Sequence, residues 1–587
     1  MDKKNISNYQ ELISLLPQGN ITYKKINGKV YPYYQWVENG KQRNRVVKKE
    51  ELEELIKKIE ERKEMQRIVN EVNSSALYLN DDLYFSSVFV GDELKDFVEP
   101  IKNYKKRNCY NSIIDYVYGN SIDKVFILYG LRRTGKTTLI KQVIASMDKT
   151  TFDKAAFVQL NDTIDLYKIN SDLRNLYKQG YKYIFIDEVT MMNDFISSAA
   201  LFSDIYASKG MKIVLTGTDS LGFVFSLDSE LYDRSYLLHT TFIPYREFVE
   251  VLGINGIDSY IQYGGTMSMS GVNYNSLTTF NSKKSTDVYI DSAIAHNIQH
   301  SLQNYKNGNH FRNLSILYEA DELTNVINRV VEHENKKFTI DVLTKTFESS
   351  DFALTAKNLI KDKNNLTDIL YKVDKDKVTK WLMKELDIIE KKDMKVTITQ
   401  SHVDEIKEYL RLLDLIIDIE VVGNNSLDNN EYQTVITQPG MRYAIAKALI
   451  DSLIKDKLFD SLSIKEKKNI TERLLSTIKG KMMEDIVLLE SKMAHPECEV
   501  FKLKFAVGEF DMVIFDPNTT TCEIYEVKYG QDVYPSQYQH LIDSDKLKAT
   551  EFRYGDIKRR CVIYNGSSHK ENDIEYINVD EYLSFKK

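Results

Sequence analysis

The sequence predicts an α/β protein built around a parallel sheet with helices on both faces, and three observations carry that prediction. An apolar run, Val125 to Tyr129, enters a loop spelling G-x-x-x-x-G-K-T from Gly130 to Thr137 and leaves it as an amphipathic helix. Further apolar runs, Ala155 to Leu160, Tyr183 to Asp187, Lys212 to Thr216 and Leu237 to Phe242, alternate with helical stretches. Near the C-terminal end a second pair of apolar runs carries Asp511, Glu526 and Lys528.

The chain has 587 residues and a formal net charge of -7. That length suggests about three to five domains. The charge argues against wholesale polyanion coating, so any nucleic-acid surface must be local. Cys109, Cys498, Cys522 and Cys561 lie far apart with no C-x-x-C pair, which fits a reducing compartment and a cytoplasmic protein. No apolar run approaches the length of a membrane span, so no membrane partner is expected.

At the N-terminal end, Asn27-Gly28 and Asn39-Gly40 punctuate three short runs and predict a three-stranded meander over residues 20 to 47. Lys24, Lys25, Lys29, Lys41, Arg43, Arg45, Lys48 and Lys49 interleave there with Tyr23, Tyr31, Tyr33, Tyr34 and Trp36. Such a pattern serves either phosphate contact with base stacking or ordinary strand formation with edge protection. A charged amphipathic helix is expected from Lys48 to Val72. Asn73 to Lys106 reads as a linker and lead-in.

The central loop is a phosphate cradle. Gly130 and Gly135 let the backbone turn so that consecutive N–H groups and the helix start face one anion. Arg133, Thr134 and Thr138 complete the cradle, Lys136 reaches the β- and γ-phosphates, and the Thr137 hydroxyl ligates Mg²⁺. A nucleoside triphosphatase also needs a carboxylate on a neighbouring strand. Asp187 ends the Tyr183 run as the metal-side acid, with Glu188 beside it to orient water. Thr216, Thr218, Asp219 and Ser220 leave the next run, where Thr218 serves either as a γ-phosphate sensor or as a turn cap.

Residues 246 to 335 read as a helical lid interrupted by Gly-Gly and Asn-rich sequence, and 337 to 422 as further helical segments. Glu509 to Phe515 and Glu523 to Lys528 then read as antiparallel strands joined by the Asp516-Pro517-Asn518 turn, bringing Asp511, Glu526 and Lys528 to one point. Two carboxylates and a lysine so placed can hold Mg²⁺ and position water. Acids gathered at one point would repel one another unless a divalent cation or Lys528 offsets them.

The chain resembles the AAA+ ATPases, within them the prokaryotic group that carries a P-loop core followed by a restriction-endonuclease-like domain. The carrying residues are Gly130 to Thr138, Ile186-Asp187-Glu188, Leu215 to Thr218, Arg234, Pro244 to Phe248, Tyr263 to Met267 and the C-terminal D-x14-E-x-K of the PD-(D/E)xK nucleases. The resemblance implies an N-terminal module (1–75), a P-loop ATPase core (76–245), a helical lid (246–336), a winged-helix-like region (337–425) and a nuclease-like α/β domain (426–587). It implies ATP and Mg²⁺, with Mn²⁺ also possible at the nuclease-like site. There Glu484, Asp511 and Glu526 would hold metal, and Asp511, Glu526 and Lys528 would be catalytic. A nucleic-acid partner, DNA before RNA, and a homo-oligomer are expected on the same grounds, in defence or mobile-element biology. Arg234, preceded here by Asp233, serves either as a trans-acting finger or in a structural ion pair. The rival function is a switch or signalling ATPase whose C-terminal domain binds without cleaving.

Overall fold

The computed structural model describes residues 16–17, 19–26, 29–38, 41–48, 51–52, 54–60, 62–63, 84–192, 195, 199–218, 223, 231, 233–267, 279–304, 311–320, 322–359, 370, 373–386, 397–423 and 431–584. The chain divides into two compact units, Met1–Phe85 and Ser86–Lys587.

In the first unit, β1 (Asn20–Ile26), β2 (Lys29–Glu38) and β3 (Lys41–Val46) form the expected antiparallel meander. Its small core is Tyr34, Val47 and Ile59, with Ile21, Leu52 and Leu55 packed against them. Arg45 pairs with Glu51 at 3.0 Å and lies over the Tyr34 ring at 5.9 Å. Two members of the basic and aromatic pattern are therefore spent inside the module. The side chains of Tyr23, Lys24, Lys25, Lys29, Trp36, Lys41, Arg43 and Lys49, and the expected helix beyond residue 63, lie outside the described residues.

In the second unit, a six-stranded sheet runs in the order β4-β6-β7-β8-β5-β9. Its strands are β4 (Ser87–Phe89), β5 (Val125–Tyr129), β6 (Ala155–Gln159), β7 (Tyr183–Asp187), β8 (Lys212–Gly217) and β9 (Ser235–His239). All pairings are parallel except β4 with β6. The stretch expected as a lead-in thus supplies an edge strand. On one face, Phe126, Leu128, Phe157 and Val214 pack against Leu94, Ile113, Ile140 and Val143, the helical cover that a parallel sheet needs. The helix after the loop is α1 (Lys136–Ala145).

Beyond β9 the chain is helical: α2 (Tyr245–Leu252), α3 (Ile257–Tyr263), α4 (Leu323–Leu359) and α5 (Gln400–Leu412). An eight-stranded sheet follows, ordered β11-β10-β12-β13-β14-β15-β17-β16. It comprises β10 (Ile416–Gly423), β11 (Glu431–Ile436), β12 (Glu499–Lys504), β13 (Glu509–Asp516), β14 (Thr521–Lys528), β15 (Asp556–Tyr564), β16 (His569–Glu571) and β17 (Ile574–Asn578). Strands β13 and β14 are antiparallel as expected, with Asp516 opposite Thr521.

Two expected domain divisions do not fall at breaks in the fold. Helix α4 runs through residue 336, and β10, which precedes residue 425, hydrogen-bonds to β12 and so belongs to the C-terminal sheet. The reason is burial: β10 carries Ile416, Ile419, Val421 and Val422, an apolar set that an isolated hairpin could not cover.

Two helices between β11 and β12, α6 (Pro439–Ile454) and α7 (Ile464–Ala494), tie the parts together. Helix α7 starts at a capping box in which Ser463 and Glu466 exchange hydrogen bonds. Its stripe Ile470, Leu474, Ile478 and Met482 recurs every fourth residue. The same core joins Tyr245, Phe248 and Tyr260 of α2 and α3 to Met512, Tyr525 and Val527 of the C-terminal sheet.

Candidate active sites

The first site sits where β5, β7 and β8 end. Gly130 has φ +144°, and a Cβ there would come within 2.6 Å of Thr240 Oγ1, so only glycine fits. Gly135 opens α1 in the left-handed region at φ +88°. Lys136 is 6% exposed, and its Nζ donates to the carbonyls of Gly130 at 2.8 Å and Leu131 at 2.9 Å. Burial pulls its pKa down to about 8, partly opposed by the charges of Glu188 and Asp187.

Asp187 gathers the strand ends. Thr137 Oγ1 donates to its Oδ2 at 2.7 Å, and Thr216 Oγ1 donates to its Oδ1. A hydroxyl and a carboxylate in contact are hard oxygen donors of the kind Mg²⁺ takes, so these residues fit the ion. Glu188 adopts φ +56°, its carboxyl is pushed up by burial against the pull of Lys136, and Thr218 Oγ1 donates to its Oε2 at 3.3 Å. Thr134 turns inward: its hydroxyl donates to Leu131 O at 2.9 Å and meets Thr240 Oγ1 at 3.0 Å, leaving only its backbone for a phosphate. Thr138 is half-buried in the first turn of α1, and Arg133 Nη1 donates to Thr279 Oγ1 at 3.2 Å. Arg234 pairs with Asp204 at 3.1 Å, while Asp233 pairs with Lys124. Asp219 and Ser220 lie outside the described residues.

Arg107 belongs to no motif and carries no signal in the sequence. This buried guanidinium binds Glu247 of α2 through Nε at 2.8 Å and Nη2 at 2.7 Å, and donates through Nη1 to Thr134 O at 2.7 Å. It clamps the back of the cradle to the start of the helical region.

Residues 122–249, which contain the cradle, Asp187, Glu188, Thr218 and Arg234, match the family model described as an AAA domain. The core is a P-loop ATPase fold of the AAA type. Residues 4–57 match the model of a domain of unknown function, DUF6788. No curated protein matches the chain. Among solved structures, the Aeropyrum pernix Orc1 protein in complex with DNA aligns over 61% of this chain and 96% of its own at 13% identity, with a TM-score of 0.21, and at that score the likeness carries no argument. Among the described residues, no helix is long and apolar enough to cross a membrane.

The AAA core is wired to the C-terminal sheet through the Gly-Gly segment. Met267 N donates to Arg133 O in the cradle at 2.7 Å. Gly440 N, at the start of α6, donates to Gly264 O at 3.0 Å. Gln438 Nε2 reaches both Gly265 O at 3.1 Å and the Tyr289 hydroxyl at 2.9 Å, and that hydroxyl donates to Arg132 O at 3.3 Å. One turn along α6, Arg442 forms a buried ion pair of 3.0 Å with Asp485, the neighbour of Glu484 on α7.

At the second site, β13 and β14 bring Asp511, Glu526 and Lys528 together. Lys528 Nζ lies 2.9 Å from Asp511 Oδ2 and 2.6 Å from Glu526 Oε2, and Val527 N donates to Asp511 Oδ2 at 2.8 Å. The expected three-acid metal cluster is not assembled. Glu484 is held instead by Lys481 at 2.5 Å and Lys502 at 3.4 Å. Among the described residues, no group of three or more His, Cys, Asp or Glu side chains is placed to hold a metal ion. The reason is charge: three lysines neutralise three carboxylates that would otherwise repel.

Asp511 and Glu526 respond oppositely to this setting. Burial alone would raise Asp511, but Lys528 and Lys502 outweigh it and hold the carboxyl well below its usual range. Burial, reinforced by the charge of Asp511, pushes Glu526 up to about 9, and its buried Oε1 has no hydrogen-bond partner. Two oxygen donors flanking an ammonium, one of them unsatisfied, fit a divalent cation. Asp511→Asn should therefore destabilise the protein by about 1–3 kcal/mol, since a charge-assisted bond is lost. Glu526→Gln, replacing a carboxyl whose charged form burial and the charge of Asp511 already disfavour, should change stability by less than about 1 kcal/mol. Thermal unfolding of both variants checks the order, which crowding of bare carboxylates would reverse.

Proposed function

We propose that the chain binds and hydrolyses ATP in the AAA core, and that the nucleotide state controls a metal-dependent nuclease-like site in the C-terminal sheet. The observation that carries the ATPase reading is Asp187 joining Thr137 of the cradle to Thr216 of β8, with Lys136 beneath the same loop. Lys136 is poised to exchange its two carbonyl partners for phosphate oxygens, and Glu188, raised by burial, to accept a proton from water oriented beside Thr218. Thr137 and Asp187 would hold Mg²⁺, which neutralises charge on the phosphates.

At the second site Asp511 and Glu526 would hold Mg²⁺ or Mn²⁺, which activates water toward a phosphodiester. Lys528 neutralises both carboxylates and positions the scissile phosphate, with DNA favoured over RNA. The same lysine bridge supports the second reading, a switch ATPase that binds nucleic acid without cleaving it.

Control would run through Gln438. Purified protein is incubated with labelled DNA and RNA oligonucleotides, with Mg²⁺ or Mn²⁺, with and without ATP. Metal-dependent cleavage modulated by ATP is the expected result, and binding without cleavage under every metal would favour the switch reading. Gln438→Ala should keep ATP turnover within a few-fold while removing an ATP effect of about 5- to 150-fold, the usual range of coupling between sites. If the variant keeps the full ATP effect, control does not pass through this contact.

A further inference from the structure

Lys528, which pairs with Asp511 and Glu526, lines a cleft of about 1050 Å³ between α4 and α7, together with Glu484. Seven basic and four acidic side chains line it, and once the ion pairs are set aside three bases face two acids, Asp341 and Glu509, a local positive excess in a chain whose net charge is -7. Four of those bases are already paired: Lys407 with Glu334, Lys481 with Glu484, Arg442 with Asp485, and Lys528 with Asp511 and Glu526. Lys337, Lys345 and Arg473 are exposed and have no side-chain partner among the described residues. Lys337 and Lys345 lie eight residues apart on α4 and so share a face, while Arg473 shares the face of α7 that also carries Glu484. At the rim stands Tyr432, 67% exposed, its ring offered to solvent.

We propose that this cleft is the track of a single strand of nucleic acid, an inference that rests on the nuclease-like reading of Asp511, Glu526 and Lys528. Three cations with no partner among the described residues, along one cleft, match a row of phosphates, and an exposed aromatic face beside them gives a base a stacking platform. The volume selects the strand. Small-ligand clefts run to about 1,000 Å³, so this one takes a few nucleotides of a single strand, too little room for a duplex. Lys337, Lys345 and Arg473 would hold successive phosphates and lead one of them to Lys528.

The test uses the full chain and fluorescein-labelled oligothymidylate, its uridine counterpart and a blunt duplex, titrated in EDTA so that nothing is cut. Single strands are expected to bind more tightly than the duplex. K337Q/K345Q/R473Q should lower the slope of log K against log salt by about 2, the release expected for three phosphates of a single strand. Tyr432→Ala should weaken single-strand binding roughly 5- to 150-fold. An unchanged slope in the triple variant with its melting curve intact, or a preference for the duplex, overturns the proposal. Wild-type protein that binds single strands through these residues yet never cleaves them with any metal would overturn the nuclease reading and leave the track standing.

Discussion

Lys136→Ala is expected to reduce ATP turnover by at least about 10³-fold while leaving the fold intact. The lysine ammonium is placed against the cradle carbonyls of Gly130 and Leu131, where it would offset the negative charge of the phosphates in the transition state. Its removal takes no apolar packing with it. It also relieves a buried ammonium whose charged form burial already disfavours. The expected signature is therefore lost phosphate release in a steady-state assay beside an unfolding transition within a few degrees of wild type. Glu188→Gln is the companion variant: nucleotide binding survives because the amide keeps the shape, whereas hydrolysis fails because it cannot take a proton. Wild-type turnover in Lys136→Ala would remove the phosphate-cradle reading.

Arg107→Ala is expected to produce the largest loss of stability, about 3–5 kcal/mol, because it leaves the Glu247 carboxylate buried without its counter-ion. Both side chains are almost fully buried, and Glu247 also accepts from Asn108 N at 2.6 Å. The same change frees the carbonyl of Thr134, so nucleotide affinity should fall along with stability. Arg107→Ala combined with Glu247→Ala removes the orphaned charge, and should recover part of the stability but not the affinity. Chemical denaturation and a nucleotide titration on the single and double variants check both. A single variant that unfolds like wild type would mean that water reaches the pair and screens it.

These contacts also mark where sequence reading succeeds. The cradle was legible because its geometry is local. Gly130 and Gly135 are demanded by backbone conformations that few other residues adopt, and the spacing to Lys136 and Thr137 is fixed by the start of one helix. Asp187 was legible because an apolar run ending in an acid places that acid at a strand's carboxyl end. The pairing of Asp511 with Glu526 and Lys528 followed from a hairpin whose turn is a few residues long.

The sequence by itself determined the α/β class, the cradle and the carboxylate hairpin, because each is set by interactions spanning a few residues or one strand pair. Tertiary structure alone decided what surrounds them. Arg107 meets Glu247 across 140 positions, Gln438 reaches Gly265 across 173, and Lys481 with Lys502 holds the Glu484 carboxylate. Arginine, glutamine and lysine are common surface residues, and no periodicity distinguishes those that fold inward. Only burial, where an unpaired charge costs several kcal/mol, selects their partners, and burial is a property of the packed chain.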